Sequence, residues 1–188
     1  TMYFSGMSSI IKAQKATSGD YHTVFYNVPL NDIKTIQNNR NIENITKLKY
    51  LGISKFKSNV SQIPYVSVVA AEKDNINKLG IYPVKGRLPE NANEIVITNH
   101  LNNIMNTKYS IGDKLTLEIG DRYSKDNIKL KKAENLQDGE KIINTEKREF
   151  TIVGVVVEIS ESVNQPGEIA DTVVTCLRKE DIKDNLDL

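Results

Sequence analysis

The stretch KLTLEI at residues 114–119 alternates polar and apolar side chains at every step. Because successive side chains of a β-strand point to opposite faces, this period of two predicts a strand with one buried face and one face in solvent. A second stretch, FTIVGVVV at 150–157, is almost entirely apolar and predicts a strand that is covered on both faces. Gly154 within it indicates a bulge or a close approach of another backbone. We expect the two strands side by side in one sheet, since the segment between them begins and ends at a sheet edge.

That intervening segment, residues 121–147, is too long for an ordinary hairpin loop and holds seven basic and six acidic residues with only scattered apolar ones. Two interpretations stay open. The segment is either a solvated excursion without a role, or a projecting loop or hairpin extension that contacts a partner, since loops on a rigid sheet often provide recognition. In the second case Lys129, Lys131 and Lys132 form a basic cluster suited to anionic cell-envelope polymers or acidic partners.

Apolar spacing and β-branched composition predict the remaining elements. Strands are expected at 21–28, 42–51, 54–61, 65–71, 94–98 and 172–177, and short helices at 29–38, at 74–79, from 99 and at 179–186. The initial order of strand, helix, strand and strand indicates half of a ferredoxin-like α+β layer. Residues 1–19 are predicted to form an amphipathic arm or a stalk that leaves a membrane helix.

Composition excludes several classes of function. The 188 residues carry a formal net charge of +1, from 25 basic and 24 acidic residues, which argues against a dedicated nucleic-acid binder. The single cysteine excludes an internal disulfide framework and a multi-cysteine zinc site. No run reaches the roughly 18 apolar residues that span a bilayer. The first eleven residues also lack the pattern of a signal peptide.

Candidate catalytic or ligating residues are few. His22 and His100 lack the spacing of a metal site and are expected at the surface. Cys176 lies in an apolar strand and is expected to be a small buried side chain rather than a nucleophile. The sequence contains no Gly-x-Ser-x-Gly turn and no glycine-rich phosphate loop. We therefore expect no catalytic residue, no cofactor and no metal ion.

Four short motifs follow one another along the second half of the chain. They are GRLP at 86–89, EIVI at 94–97, GDKL at 112–115 and FTIVGV at 150–155. Each motif is weak alone, but their order resembles the extracytoplasmic core domain of MacB-like and FtsX-like ABC transporter permeases. The segment SGDYH at 18–22, followed by the helix predicted at 29–38, is similar to the part just after the first membrane helix of such permeases. The motif residues are those that turns and a β-core need, so they indicate a fold signature rather than an active site.

The resemblance implies an α+β fold with a mixed α/β porter-like lobe near the membrane and an inserted β-rich sabre-like lobe. Residues 1–19 would then be a membrane-proximal arm, 20–66 with 172–188 the porter-like lobe, and 67–171 the sabre-like lobe with the long loop 121–147. In the family a second strand–helix–strand unit usually returns to the first lobe. Only a strand and a short helix are predicted here, so we expect the porter-like lobe to be incomplete or reduced.

The same resemblance implies a function without catalysis. The chain would be the extracellular domain of a bacterial ABC permease, on the outer side of the cell membrane of a Gram-positive type. A separate cytoplasmic ATPase would hydrolyse ATP, and the domain would couple that cycle to export, extraction or sensing of an antimicrobial peptide, a drug or a lipoprotein. We expect the domain alone to be a monomer and the whole permease a dimer. The alternatives are a free-standing secreted or cell-surface binding or adhesion module and, third, an enzyme whose site a partner completes.

Overall fold

β-Strands account for most of the regular structure. The computed structural model describes residues 19–56, 64–104, 109–131, 134–157, 159, 163 and 169–188. Its strands are β1 (Val28–Pro29), β2 (Leu48–Lys55), β3 (Tyr65–Ala71), β4 (Pro83–Gly86), β5 (Glu94–Thr98), β6 (Lys114–Tyr123), β7 (Lys141–Val156), β8 (Ala170–Cys176) and β9 (Asn185–Leu186). Its α-helices are α1 (Leu30–Gln37) and α2 (Asn99–Ile104), and short 3₁₀-helices occupy Lys73–Leu79 and Lys179–Asp181.

Six of these strands close into a barrel. The order around the ring is β5, β7, β6, β2, β3, β8 and back to β5. The β5–β7 and β3–β8 pairs are parallel and the other pairs are antiparallel. Closure depends on β7, which at 16 residues is long enough to pair with β6 along most of its length and with β5 along its last residues. Closure thus gives each of the six strands two paired neighbours.

The alternating stretch of β6 supplies one wall of the barrel interior. Leu115, Leu117 and Ile119 are buried, and the residues between them are exposed, which confirms the predicted alternation. Phe150 pairs with Leu115 across the β6–β7 ladder and is fully buried, so the predicted neighbourhood of the two strands is also confirmed. Leu101 of α2 joins the same cluster. The barrel is therefore a packed core and not a channel.

A second apolar layer covers the outside of β3, β5 and β8. The 3₁₀-helix Lys73–Leu79 contributes Ile76 and Leu79, both of which are buried, as predicted for this short helix. Its last residue is followed by Gly80 in the left-handed conformation, with φ of 73°. Strands of the barrel thus have apolar side chains on both faces, which explains the almost unbroken apolar runs of β3 and β8.

The first and last parts of the described chain meet at one place. β1 pairs antiparallel with β9, and Val28 lies opposite Leu186. The backbone N–H of Phe25 donates to the carbonyl of Leu188, and the N–H of Leu188 donates to the carbonyl of Phe25, each at 2.9 Å. Helix α1 packs its buried Ile33 against this pair of strands, in agreement with the helix predicted there.

The predicted fold class is wrong. The described residues are 43% strand and 16% helix and form a closed six-stranded barrel, not a mixed α/β porter-like lobe with a separate β-rich insertion. β7 begins before the strand predicted at 150–157: its residues 146–151 pair with β6 and its residues 151–156 pair with β5, which closes the ring. Strands from 20–66, from 67–171 and from 172–188 all enter this one barrel.

Three local predictions also fail. Residues 21–27 form no strand, and only Val28–Pro29 pair, because the partner β9 has two residues. Residues 179–186 form one 3₁₀ turn followed by β9 instead of a helix. One strand, β2 (Leu48–Lys55), lies where two were predicted at 42–51 and 54–61, with a bulge between Tyr50 and Gly52, and residues 57–61 lie outside the described residues. The opening is thus not half of a ferredoxin-like layer.

Candidate functional site

The segment 121–147 is the structural feature that the barrel itself does not require. β6 continues to Tyr123 and β7 begins at Lys141, and these two residues are paired across the ladder. The register shifts between Ile119 and Asp121, so the hairpin changes direction as it leaves the barrel. The structure shows a hairpin extension that continues into a loop, described at residues 124–131 and 134–140, and both interpretations of its role stay predictions.

A buried ion pair anchors the loop of this extension. The guanidinium of Arg122 donates to the carboxylate of Glu140 at 2.6 and 3.2 Å, and the two side chains are only 2% and 4% exposed. Arg122 also donates to the carbonyl oxygens of Glu134 and Asn135, at 3.0 and 3.2 Å. The guanidinium carbon lies 5.7 Å from the centre of the Tyr65 ring on β3. The loop is therefore held against the outer face of the barrel.

The electrostatics of this anchor favour a charged carboxylate. Burial alone would raise the pKa of Glu140, but hydrogen bonds from Arg122, Tyr65 and the N–H of Gln137 outweigh it, and the net shift is downward. Burial and the hydrogen bond to Glu140 together raise the pKa of Tyr65. Arg122, Glu140 and Tyr65 thus form a satisfied buried network, which costs less than an unpaired buried charge.

A groove of about 700 Å³ lies between the extension and the barrel. Its floor contains Leu48 and Leu130, and Tyr26 and Tyr50 contribute aromatic rings. A second groove, of about 570 Å³, lies beside residues 136–140 of the loop, next to Lys55 and Phe56. Grooves of this size with mixed apolar and polar linings suit a small ligand or a segment of a partner.

The basic cluster predicted on this loop is not three free cations. The Lys129 ammonium lies 2.8 Å from the Asp121 carboxylate, so its charge is locally balanced. The side chain of Lys131 is exposed, while its backbone N–H donates to Glu134. Lys132 lies outside the described residues. Lys129 and Lys131 both line the larger groove, and their role as partner contacts stays a prediction.

The four sequence motifs meet at the last part of β7. Arg87 of GRLP forms a double ion pair with Glu94 of EIVI, with N···O distances of 2.6 and 2.7 Å. The N–H of Arg87 donates to the carbonyl of Val153, and the N–H of Gly112 donates to the carbonyl of Ile152. A Cβ added to Gly154 would lie within van der Waals overlap of the Arg87 carbonyl oxygen. The motifs therefore specify one packing arrangement, as a fold signature does.

The Arg87–Glu94 pair gives a prediction for pH. Hydrogen bonds from Arg87 hold the pKa of Glu94 at about 2, below its ordinary value of 4.5, although burial opposes this shift. A carboxyl with a lowered pKa stabilises the fold above its unfolded pKa, and that stabilisation disappears as the pH falls toward the folded pKa. We expect Glu94→Gln to lower the free energy of unfolding by about 1–2 kcal/mol near neutral pH, because Arg87 is half exposed.

Urea unfolding at a series of pH values checks this expectation. The difference between the unmodified chain and Glu94→Gln should shrink as the pH is lowered from about 4.5 to about 2, where the carboxyl becomes protonated. Glu90→Gln is the matched control, because Glu90 is 61% exposed and lies 3.8 Å from Arg87. A constant difference over the whole pH range would contradict the assignment.

The two histidines differ in their surroundings. His22 is exposed, as predicted, and lies in irregular chain. His100 is at the start of α2 and half exposed, and its Nδ1 lies 2.9 Å from Asp171. Asp171 is buried and also accepts from the Thr98 hydroxyl at 2.9 Å. No local sequence pattern indicates this cluster, since Asp171 and Thr98 are 73 residues apart.

Cys176 is buried, as predicted. Burial raises the pKa of its thiol to about 11, and the S–H donates to the carbonyl of Pro89. Because the thiolate is the reactive form, we expect almost no reaction with a thiol reagent such as DTNB in the native protein at neutral pH. Unfolding in urea should expose the thiol and give one equivalent of reaction. Rapid native reaction would show that β8 opens or is misplaced.

The described residues lack two features that would point to other functions. Within them, no three His, Cys, Asp or Glu side chains come together in a way that could hold a metal ion. No helix among the described residues has the length and apolar character to cross a membrane.

Comparison with known proteins finds a likeness in fold. No family model matches the sequence, and no curated protein matches it. Among solved structures, the chain is similar to a domain of a protein from Porphyromonas gingivalis that is assigned as a permease, with a TM-score of 0.50 and 16% identity. The match covers 87% of this chain and 62% of that chain, so this chain spans less than two thirds of that domain. The chain thus shares its fold with a domain of an assigned permease.

Proposed function

We propose that this chain is a non-catalytic extracellular domain of an ABC transporter permease of the FtsX-like or MacB-like type. The observation that supports it most is the fold shared with the Porphyromonas gingivalis permease domain. The order of the four motifs is independent of that observation, and the motifs are interlocked through Arg87, Glu94 and Gly154.

We propose that the domain transmits motion and also recognises the transported molecule. A separate cytoplasmic ATPase subunit would hydrolyse ATP, and the closed barrel would move as one unit because its ring of strands is continuous. The hairpin extension and its grooves would contact the exported, extracted or sensed molecule, which we propose to be a peptide, a drug or a lipoprotein. The domain alone would be a monomer and the permease a dimer.

Surface labelling tests the extracellular placement. Lys85 on β4 is exposed, so Lys85→Cys in the full-length protein provides a reactive thiol, whereas Cys176 is buried and serves as the background. A membrane-impermeant maleimide should label Lys85→Cys in intact cells, and the protein should remain in the membrane fraction. Labelling only after lysis would contradict the placement, and recovery from the culture medium would favour a secreted adhesion module.

A further inference from the structure

A slot of about 630 Å³ lies between two irregular segments of the chain, residues 20–25 and 41–46. Leu48, Leu79 and Leu188 are among the residues that complete its lining. Because both segments line the same cavity, they form the two walls of one site.

The main chain of both walls lacks strand partners. Among the residues that the structure describes, the N–H and C=O groups of 21–24 and of 43–46 take part in no hydrogen bond. Both segments lie within stretches whose β-branched and aromatic residues predict strands, 21–28 and 42–51. Two segments with strand-forming sequences thus face one cavity with unpaired main-chain groups.

The residues next to the slot show how one strand fits between these segments. Asp187 exchanges two main-chain hydrogen bonds with Leu48, at 2.8 and 2.9 Å, and Leu188 exchanges two with Phe25. One segment is therefore bonded on both of its edges, and its two neighbours are about 10 Å apart, since paired strands are about 4.8 Å apart. Residues 21–24 and 43–46 continue those two neighbours along the chain, so a strand between them would meet the same arrangement.

The side chains around the slot indicate which kind of strand would bind. Two lining side chains are acidic, Asp20 and Glu43, and one is basic, Lys78, so the net charge is −1 when His22 is neutral. The apolar lining includes Val24, Phe25, Ile36, Ile42 and Ile45. An apolar segment with a basic side chain complements this lining. An extended polypeptide also offers N–H and C=O groups on both edges, which two rows of unpaired main-chain groups require.

We propose that the slot binds an extended apolar segment with a basic side chain, supplied by a partner polypeptide, which adds as a strand between residues 21–24 and 43–46. Main-chain hydrogen bonds would give the affinity, and the side chains that point into the lining would give the specificity. The permease role is not needed for this binding mode, which depends on the local main chain alone.

Hydrogen exchange measured by mass spectrometry on the full-length protein in mild detergent tests the slot. The probe is the synthetic peptide acetyl-VKVTVT-amide. Without peptide, the amides of 21–24 and 43–46 should exchange rapidly, because they have no hydrogen-bond partner. With about 1 mM peptide, their exchange should slow by about tenfold, while exchange in 124–140 should not change.

Two controls separate strand addition from simple apolar contact. The same peptide with N-methyl groups on alternate residues keeps its side chains but loses the donors of one edge, so the slowing should disappear. Glu43→Gln should weaken the binding of acetyl-VKVTVT-amide by up to about fivefold and leave that of acetyl-VTVTVT-amide unchanged, since Glu43 is exposed.

Three results would overturn the proposal. The first is equal slowing by the N-methylated peptide, which would mean apolar contact without strand pairing. The second is the absence of any slowing in 21–24 and 43–46. The third is slow exchange of these amides before peptide is added, which would mean that the protein itself fills the slot. None of these results bears on surface labelling in cells, so the proposed function is decided separately.

Discussion

Arg122→Ala should release the loop 124–140 from the barrel while leaving the barrel folded. The substitution leaves Glu140 buried without its cation, and breaking a buried pair on one side costs about 3–5 kcal/mol. The loop can avoid that cost by detaching, which returns Glu140 to water, so the loss in global stability is limited to the free energy that holds the loop down. Hydrogen exchange measured by mass spectrometry should show faster exchange in 124–140 and little change in β3 and β5.

Two variants control this experiment. Lys129→Ala removes an exposed ion pair with Asp121 and should change stability by no more than about 1 kcal/mol. The double variant Arg122→Met, Glu140→Leu removes both buried charges and should recover much of the lost protection, since apolar replacements of a buried pair are often neutral. Unchanged exchange in 124–140 for Arg122→Ala would show that the ion pair does not hold the loop.

Gly154→Ala should lower the free energy of unfolding by about 2–3 kcal/mol. An added Cβ would overlap the backbone carbonyl oxygen of Arg87, and it would also approach Val96 at 3.1 Å. The backbone atoms on both sides of this contact belong to hydrogen-bonded strands or motifs. They cannot move apart without breaking some of those hydrogen bonds. Urea unfolding followed by circular dichroism measures the difference.

Gly112→Ala separates this packing effect from the general cost of replacing glycine. Gly112 has a φ of 98°, so alanine is strained there, but its Cβ would meet no atom within 4 Å. Its expected cost is about 1 kcal/mol. If Gly154→Ala were as mild as Gly112→Ala, the close approach of GRLP to β7 would be wrong.

The sequence predicted the parts of the fold that local pattern controls. Leu115, Leu117 and Ile119 have one buried face and so show the alternation of a half-buried strand. Tyr65–Ala71 and Glu94–Thr98 were placed with their observed bounds, because apolar β-branched runs between turns suit buried strands. The short helix before Gly80 follows from its glycine stop and its buried Ile76 and Leu79.

Barrel closure could not be predicted in the same way. The parallel pairing of β3 with β8 joins residues more than one hundred positions apart, such as Tyr65 and Ala170, and no local spacing records it. Residues 143–147 of β7 are exposed and include charged side chains, so they show neither alternation nor an apolar run. The strand predicted at 150–157 therefore lacks most of the residues that pair with β6.

The sequence predicted the position of the extension but not the ion pair that anchors it. The excess length and charge of 121–147 indicated an extension, yet the residue that anchors it, Arg122, is one of seven basic residues there. Arg122 and its partner Glu140 differ from the other charged residues of the segment in being buried. Their burial depends on Tyr65, which lies on a strand distant in sequence. Lys129 and Lys131, which charge alone indicated, are exposed, whereas Arg122 is buried.

Co-purification with an ATPase tests the central claim most directly. A tagged full-length protein, expressed in its native host and extracted from membranes in mild detergent, should elute together with an ATP-binding subunit and with ATP hydrolysis that a Walker-lysine substitution in that subunit abolishes. Recovery of the tagged protein from the soluble or secreted fraction, or from membranes without an associated ATPase, would contradict its assignment to an ABC permease.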